Sequence, residues 1–377
     1  MKSKYNSLLF LLSFTSCIFL NNIDHPTNKK VHFNSYRKLE TSLGSADNYQ
    51  AIKPIHSKIV MGYIIDGFEP SDGQLERISH LALSFLRPLN IKGDVGMTSG
   101  WENIDKIISL AQKHNVKSVL SFGGGEFKIT SELMGVDKNR KNLINNIINF
   151  IDKYNLDGFD CDWEPTWEDD KLEMELTNNT INEYYLIFIK EFRQNLDARF
   201  GKGSKSFSAA VLNKNSVWYS EDKQIAHFPK NGWWNHLDWV SLMNYDNALG
   251  ASHATFNSIF GPNGSIAHWK NFGVPVEKIV IGIPFYARAD WGDEWLFYKD
   301  IMNIKSIISD STDFISYSKD NSKVKDYGFN GVLTVSKKAR EAKKLNLAGV
   351  MMWQLAGDLP VEHKKSLLKN ISNELNQ

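Results

Sequence analysis

Eight short apolar runs punctuate the chain from Ile59 onward. They are IVMGYI at Ile59, HLALSFL at His80, VKSVLSF at Val116, LDGFDCDWE at Leu156, FSAAVL at Phe207, DWVSLMNYD at Asp238, KIVIGIPFYA at Lys278 and GVMMWQL at Gly349. Their length and their β-branched and aromatic content predict strands. Between them apolar residues return at helical spacing: Ile104, Ile107, Ile108 and Ala111; then Ile144, Ile147, Ile148 and Ile151; then Tyr185, Phe188, Ile189, Phe192 and Leu196. A strand and helix alternation predicts a parallel sheet with helices outside it. Eight such units within residues 59–377 predict an α/β fold of the closed (β/α)8 TIM-barrel type, a single domain, in preference to a doubly wound open sheet.

The start of the chain follows another pattern. Lys2 and Lys4 precede an apolar run from Leu8 to Leu20, which reads as a secretory signal peptide over residues 1–20 and is too short to span a bilayer comfortably. Residues 21–58 are polar and aperiodic, a linker or pro-segment. A secreted, extracellular protein is expected, with no membrane association once the leader is removed. Of the two cysteines, Cys17 and Cys161, only the second would remain, so stability must come from the core rather than from a disulfide. That core is affordable in composition: 42% of the 377 residues are hydrophobic and 12% aromatic. A net charge of +1 gives no ground for nucleic acid or an anionic membrane as partner, and a neutral polar ligand and a monomer are expected.

One strand breaks the apolar rule. In LDGFDCDWE, side chains alternate between faces, so Phe159, Cys161 and Trp163 point one way and Asp160, Asp162 and Glu164 the other. With the apolar set against the helices, the acids face the barrel interior, and Glu164 comes last, at the strand end where barrels place their chemistry. Same-face neighbours are roughly 7 Å apart, and at an effective dielectric near 20 two negative charges at that distance repel by about 2 kcal/mol, more than one pKa unit. The three cannot all ionise freely at neutral pH, so one carboxyl is expected to stay protonated, as a general acid requires. Glu164 is the candidate acid. A calcium loop would need Gly where Pro165 stands and Glu where Lys171 stands, and no His lies nearby for a transition metal, so no metal and no cofactor is expected. A purely structural acid cluster remains the costly alternative.

DGFDCDWE, holding Asp157, Asp160, Asp162 and Glu164, resembles the D-x-x-D-x-D-x-E signature of glycoside hydrolase family 18, the chitinase family. SFGGG from Ser121, MNYD from Met243, IPFYAR from Ile283 and GVMMWQLAGD from Gly349 are similar to further motifs of that family in the same order, so the resemblance spans the chain from about Ile59 to its end. It implies a hydrolase of β-1,4-linked N-acetylglucosamine polymers acting with retention, in which the substrate's own acetamido group is the nucleophile and an oxazolinium ion the intermediate. By the same resemblance Glu164 is the acid, Asp162 holds the acetamido N–H, Asp160 shares a proton with Asp162 backed by Tyr63 and Ser121, and Tyr245 bonds the acetyl oxygen. Asp246 and Arg288 would hold the distorted sugar and Trp353 would form its floor, while Gly123, Gly124, Phe85 and Met243 would line the site. The implied partners are chitin or N-acetylglucosamine oligosaccharides. The composition and bare barrel also resemble the short secreted chitinases of malaria parasites.

In isolation several of these residues have plainer readings. Gly123 to Gly125 could be a tight turn, Tyr245 and Trp353 core aromatics, Arg288 a surface ion-pair partner, and Phe85 and Met243 either packing or sugar contacts. Trp167, Trp218, Trp233, Trp234, Trp291 and Trp295 could line a groove or simply pack. The sequence departs from the family where Gly125 stands in place of a common Trp and where Pro165 directly follows the acid. The stretch between Arg288 and Trp353 reads as too short for an α+β insertion plus the remaining barrel elements, which suggests a shallow groove and internal (endo) cleavage. An endo-β-N-acetylglucosaminidase acting on N-glycans or peptidoglycan, and a non-catalytic chitin-binding lectin, are the alternative functions.

Overall fold

The computed structural model describes residues 58–125, 131–164, 178–213, 232–246, 253–289, 295–304, 308–318 and 323–376. They fall in one compact unit, Pro54–Gln377. The leader read at residues 1–20 and the polar segment read at 21–58, but for Lys58, lie outside the described residues, as do Trp167, Trp218 and Trp291.

The strands run β1 (Ile59–Ile65), β2 (His80–Pro88), β3 (Val95–Met97), β4 (Lys117–Gly123), β5 (Gly158–Asp162), β6 (Ser206–Leu212), β7 (Trp239–Met243) and β8 (Ile279–Pro284). Then come β9 (Tyr286–Arg288), β10 (Trp295–Phe297), β11 (Phe314–Tyr317), β12 (Lys325–Gly328) and β13 (Gly349–Trp353). Eight of them pair in parallel in the order β1-β13-β8-β7-β6-β5-β4-β2, and pairing of β1 with β2 closes the barrel. All eight sequence-predicted strands are barrel strands. The three apolar stripes lie on the helices Ile104–Lys113, Asp137–Lys153 and Asn178–Phe200.

Strand alternation splits the apolar residues into two cores. Inside the barrel, Met61, Tyr63, Ala82, Val119, Ala210, Leu212, Val280 and Met351 pack on one another. Outside it, Phe122, Phe159 and Phe207 meet Phe188 and Phe192 of the Asn178–Phe200 helix, with the rings of Phe159 and Phe192 4.1 Å apart. Phe159, Cys161 and Trp163 belong to this outer core, as the alternation in DGFDCDWE requires. Trp233, fully buried against Tyr185 and Trp269, is core rather than groove, while Trp295 is half-buried beside Phe297.

The segment after β8 corrects one expectation. It was expected to lack an α+β insertion, yet β9 to β12 form an antiparallel sheet in the order β10-β9-β12-β11, with the helix Tyr298–Ile304 beside it. Strands of three or four residues consume little chain, so a small α+β unit fits where a larger one does not. It grows directly out of the barrel, since β9 begins two residues after β8 ends. The argument for a shallow groove from a missing insertion therefore falls.

Candidate active site

Register builds the site. Ser121 of β4 pairs with Asp160 of β5, and Asp160 with Ser208 of β6, so three neighbouring strands present these side chains at one level of the barrel. Tyr63 Oη and Ser121 Oγ donate to Asp160 Oδ2 at 2.8 and 3.1 Å, and Ser208 Oγ donates to Oδ1 at 2.6 Å. Asp160 is fully buried and bonded at both oxygens. Asp162, one step nearer the mouth, is also buried, and among the described residues its Oδ1 accepts no hydrogen bond. Glu164, another step out, is half-buried.

Glycines let the chain pass close beside this row. Gly123 has φ +113°, and a Cβ there would lie 2.3 Å from the Asp162 carbonyl oxygen; Gly124, at φ +86°, donates its N–H to that oxygen at 2.8 Å. A Cβ at Gly124 would strike the Phe85 ring at 2.7 Å. Phe85 in turn stacks on Trp353 with centroids 5.6 Å apart, and Trp353 meets Tyr63 at the same distance. Phe85 and Trp353 therefore form one aromatic floor. Tyr245 is buried at the end of β7 with its hydroxyl toward Met351 Sδ at 3.8 Å, and its ring meets Tyr286 edge-on. Met243, buried, packs in the barrel interior. Asp246, in the left-handed region at φ +54°, forms an ion pair with Arg288 at 3.0 Å. All the sequence-predicted site residues thus gather around one end of the barrel.

Electrostatics differs in cause from the sequence argument. Burial is the leading reason that Asp160, Asp162 and Glu164 all hold their protons more tightly than usual, and charge repulsion comes second at Asp162 and Glu164. Asp160 is offset by its three hydroxyl donors; Asp162 is pushed well up by burial and then by Glu164 and Asp160. Glu164 is pushed up to about 7 by burial and by Asp246. A general acid at Glu164 would work only while protonated, and activity would then fall as pH rises through about 7. The check is the alkaline limb of kcat/KM; a limb above pH 9 would exclude Glu164 as the titrating acid.

Sequence reasoning missed four supporting residues. Ser208 sits two residues into FSAAVL, and the same period-two reading that placed Asp160 inward could have found it. Asn213 follows the end of β6, and its side-chain amide donates to the carbonyls of Met243 and Tyr245, fixing the β7 terminus. His253 accepts from the Asp246 N–H at Nδ1 and donates from Nε2 to the Tyr286 carbonyl, at 3.4 and 3.1 Å. Burial drives its pKa down to about 3, so it braces the Asp246–Arg288 pair as a neutral ring. Arg87, at the end of β2, is the fourth; its Nε donates to the Gly123 carbonyl at 3.1 Å. Nothing in the local pattern around His253 or Arg87 marks either.

A family model described as glycosyl hydrolases family 18 matches residues 58–358. The class V chitinase CHIT5 of Lotus japonicus is 25% identical over 331 residues, covering 77% of this chain and 80% of its own. Chitinase A1 of Niallia circulans is 24% identical over 308 residues, covering 68% of this chain and 43% of its own. Among solved structures, a class V chitinase mutant from Cycas revoluta in complex with (GlcNAc)3 superposes with a TM-score of 0.68 at 20% identity, over 84% of this chain and 99% of that one.

Proposed function

The chain belongs to glycoside hydrolase family 18 and is a glycoside hydrolase of the chitinase family; on that premise we propose that it cleaves β-1,4-linked N-acetylglucosamine polymers internally, with retention, by substrate assistance. The observation that carries this reading is the graded row of carboxyls. Asp160 is saturated with donors, Asp162 offers a free buried oxygen, and Glu164 stands half-buried at the mouth with its proton held to about neutral pH.

Each member then has a task its surroundings permit. Glu164 gives its proton to the glycosidic oxygen while the acetamido carbonyl oxygen of the sugar on the Trp353–Phe85 floor attacks C1. The C1–O bond breaks and an oxazolinium ion forms. Asp162 Oδ1 accepts the acetamido N–H, holding the carbonyl in line and countering the positive charge as it develops. Asp160 stays anchored by Tyr63, Ser121 and Ser208 and exchanges a proton with Asp162. Glu164, now a carboxylate, takes a proton from the water that opens the ring, so two inversions at C1 leave its configuration unchanged. Tyr245 bonds the acetyl oxygen, and the Asp246–Arg288 pair holds the distorted ring. Internal cleavage rests on Gly125. It is exposed, a Cβ there would make only ordinary 3.4 Å contact with Glu164, and so position 125 itself offers no aromatic platform for threading a chain. The leader read at residues 1–20 would bring the enzyme to extracellular chitin.

The test is fluorophore release from a triacetylchitotriose glycoside, with the anomer of the first product followed by NMR. Retained β-anomer supports the mechanism, and α-anomer sinks it. Binding without turnover would favour the lectin reading; neither would point to an N-glycan or peptidoglycan substrate.

A further inference from the structure

Arg87 is held beside the strand pairing of Gly123 with Asp162 without being paired to a described carboxylate. Its Nε donates to the Gly123 carbonyl, its guanidinium carbon lies 5.7 Å from the centroid of the Phe85 ring, and it makes no ion pair with a described carboxylate. Its two Nη groups donate to no described residue. Both of its anchors belong to the site. Gly123 adjoins Gly124, whose N–H holds the Asp162 carbonyl, and Phe85 stacks on Trp353. The other cation here, Arg288, is committed to Asp246.

We propose that Arg87 is a positioning residue of the reaction: clamped between the Gly123 carbonyl and the Phe85 ring, its guanidinium supplies a fixed positive charge beside Asp162, the strand partner of Gly123. An arginine suits this task because it stays charged at any working pH, and its planar head can donate to a carbonyl and lie over a ring at once. Among the charges acting on Asp162, Glu164 and Asp160 favour its neutral form and Arg87 favours its ionised form. The groups facing the row are Tyr63 from β1, Tyr245 and Asp246 from the end of β7, and Tyr286 and Arg288 from β9. The three tyrosines are held neutral by burial, so they cannot take over the role. Without Arg87, Asp162 would bind its proton more tightly and be neutral over a wider range when its charge is needed to counter the oxazolinium.

The proposal deepens the chitinase reading and rests on it for its consequence in turnover, but the charge effect can be read without substrate. Three variants separate the contributions: Arg87→Lys keeps the charge, while Arg87→Gln and Arg87→Met remove it, Gln keeping a donor for Gly123. In the ligand-free protein with 13C-labelled Asp and Glu, the carboxyl titration of Asp162 should move up by roughly half a pH unit or more in the Gln and Met variants and stay near wild type in Lys. In parallel, the acidic limb of kcat/KM for the chitotrioside should move to higher pH, with kcat at pH 5 falling on the order of tenfold and KM changing less than twofold. Melting curves identify any variant that does not fold, and whichever of the Gln and Met variants folds tests the idea against Lys. Unchanged titrations in folded Gln and Met variants, or Lys behaving as they do, would overturn the proposal. A shift in titration with no chitotrioside turnover by the wild type would keep the charge effect and instead refute the substrate.

Discussion

Glu164→Gln should lower kcat on the chitotrioside by roughly 10²- to 10⁴-fold, the usual range for removing a positioned proton donor, while oligosaccharide binding stays within about threefold. Gln preserves the size of the side chain and can still hydrogen-bond a glycosidic oxygen, but it has no acidic proton to give. Because Glu164 is half-buried at the strand end, the change leaves the cores on either side of β5 intact. Single-turnover rates and calorimetric binding to the same oligomer are the measurements. A variant that keeps more than a tenth of wild-type turnover would remove Glu164 from the acid role, and equal loss of binding would show that the side chain holds substrate rather than donating a proton.

Asp162→Asn should lower kcat by on the order of 10²- to 10³-fold with KM little changed, because the amide oxygen can still accept the acetamido N–H but carries no charge to set against the oxazolinium. The pH profile should hold its position. Glu164 is raised by burial and by Asp246, while Asp162 is the member raised by Glu164, so the alkaline limb should stay near pH 7 in Asp162→Asn. Asp162→Asn that retains wild-type kcat, or a limb that moves, would contradict the division of labour between the two carboxyls.

The barrel was legible because its strands are buried on both faces and announce themselves as apolar runs, and β5 was legible because three acids on one face of a buried strand demand a reason. What escaped was long-range. Arg87 acts on Gly123 and Phe85, and His253 on Asp246 and Tyr286, through contacts that no spacing along the chain encodes. The small sheet built by β9 to β12 was missed because strands of three or four residues leave no periodicity to read. The raised proton affinity of the row was expected from repulsion alone; burial dominates, and burial becomes visible only once the neighbouring barrel strands close around the inward face of β5.

That row of carboxyls also weighs on the fold that carries it. Glu164 binds its proton more tightly in the folded chain, at about 7, than the ordinary value of 4.5 that applies when the chain unfolds. Between those two values the folded state holds a proton that the unfolded state has released, so the contribution of Glu164 to stability declines as pH rises across this window and is lowest above 7. Glu164→Gln removes that dependence along with the reaction. The inactive protein should therefore melt higher than the active one at pH 8 and no higher at pH 4, a thermal signature of a site kept at odds with its own scaffold.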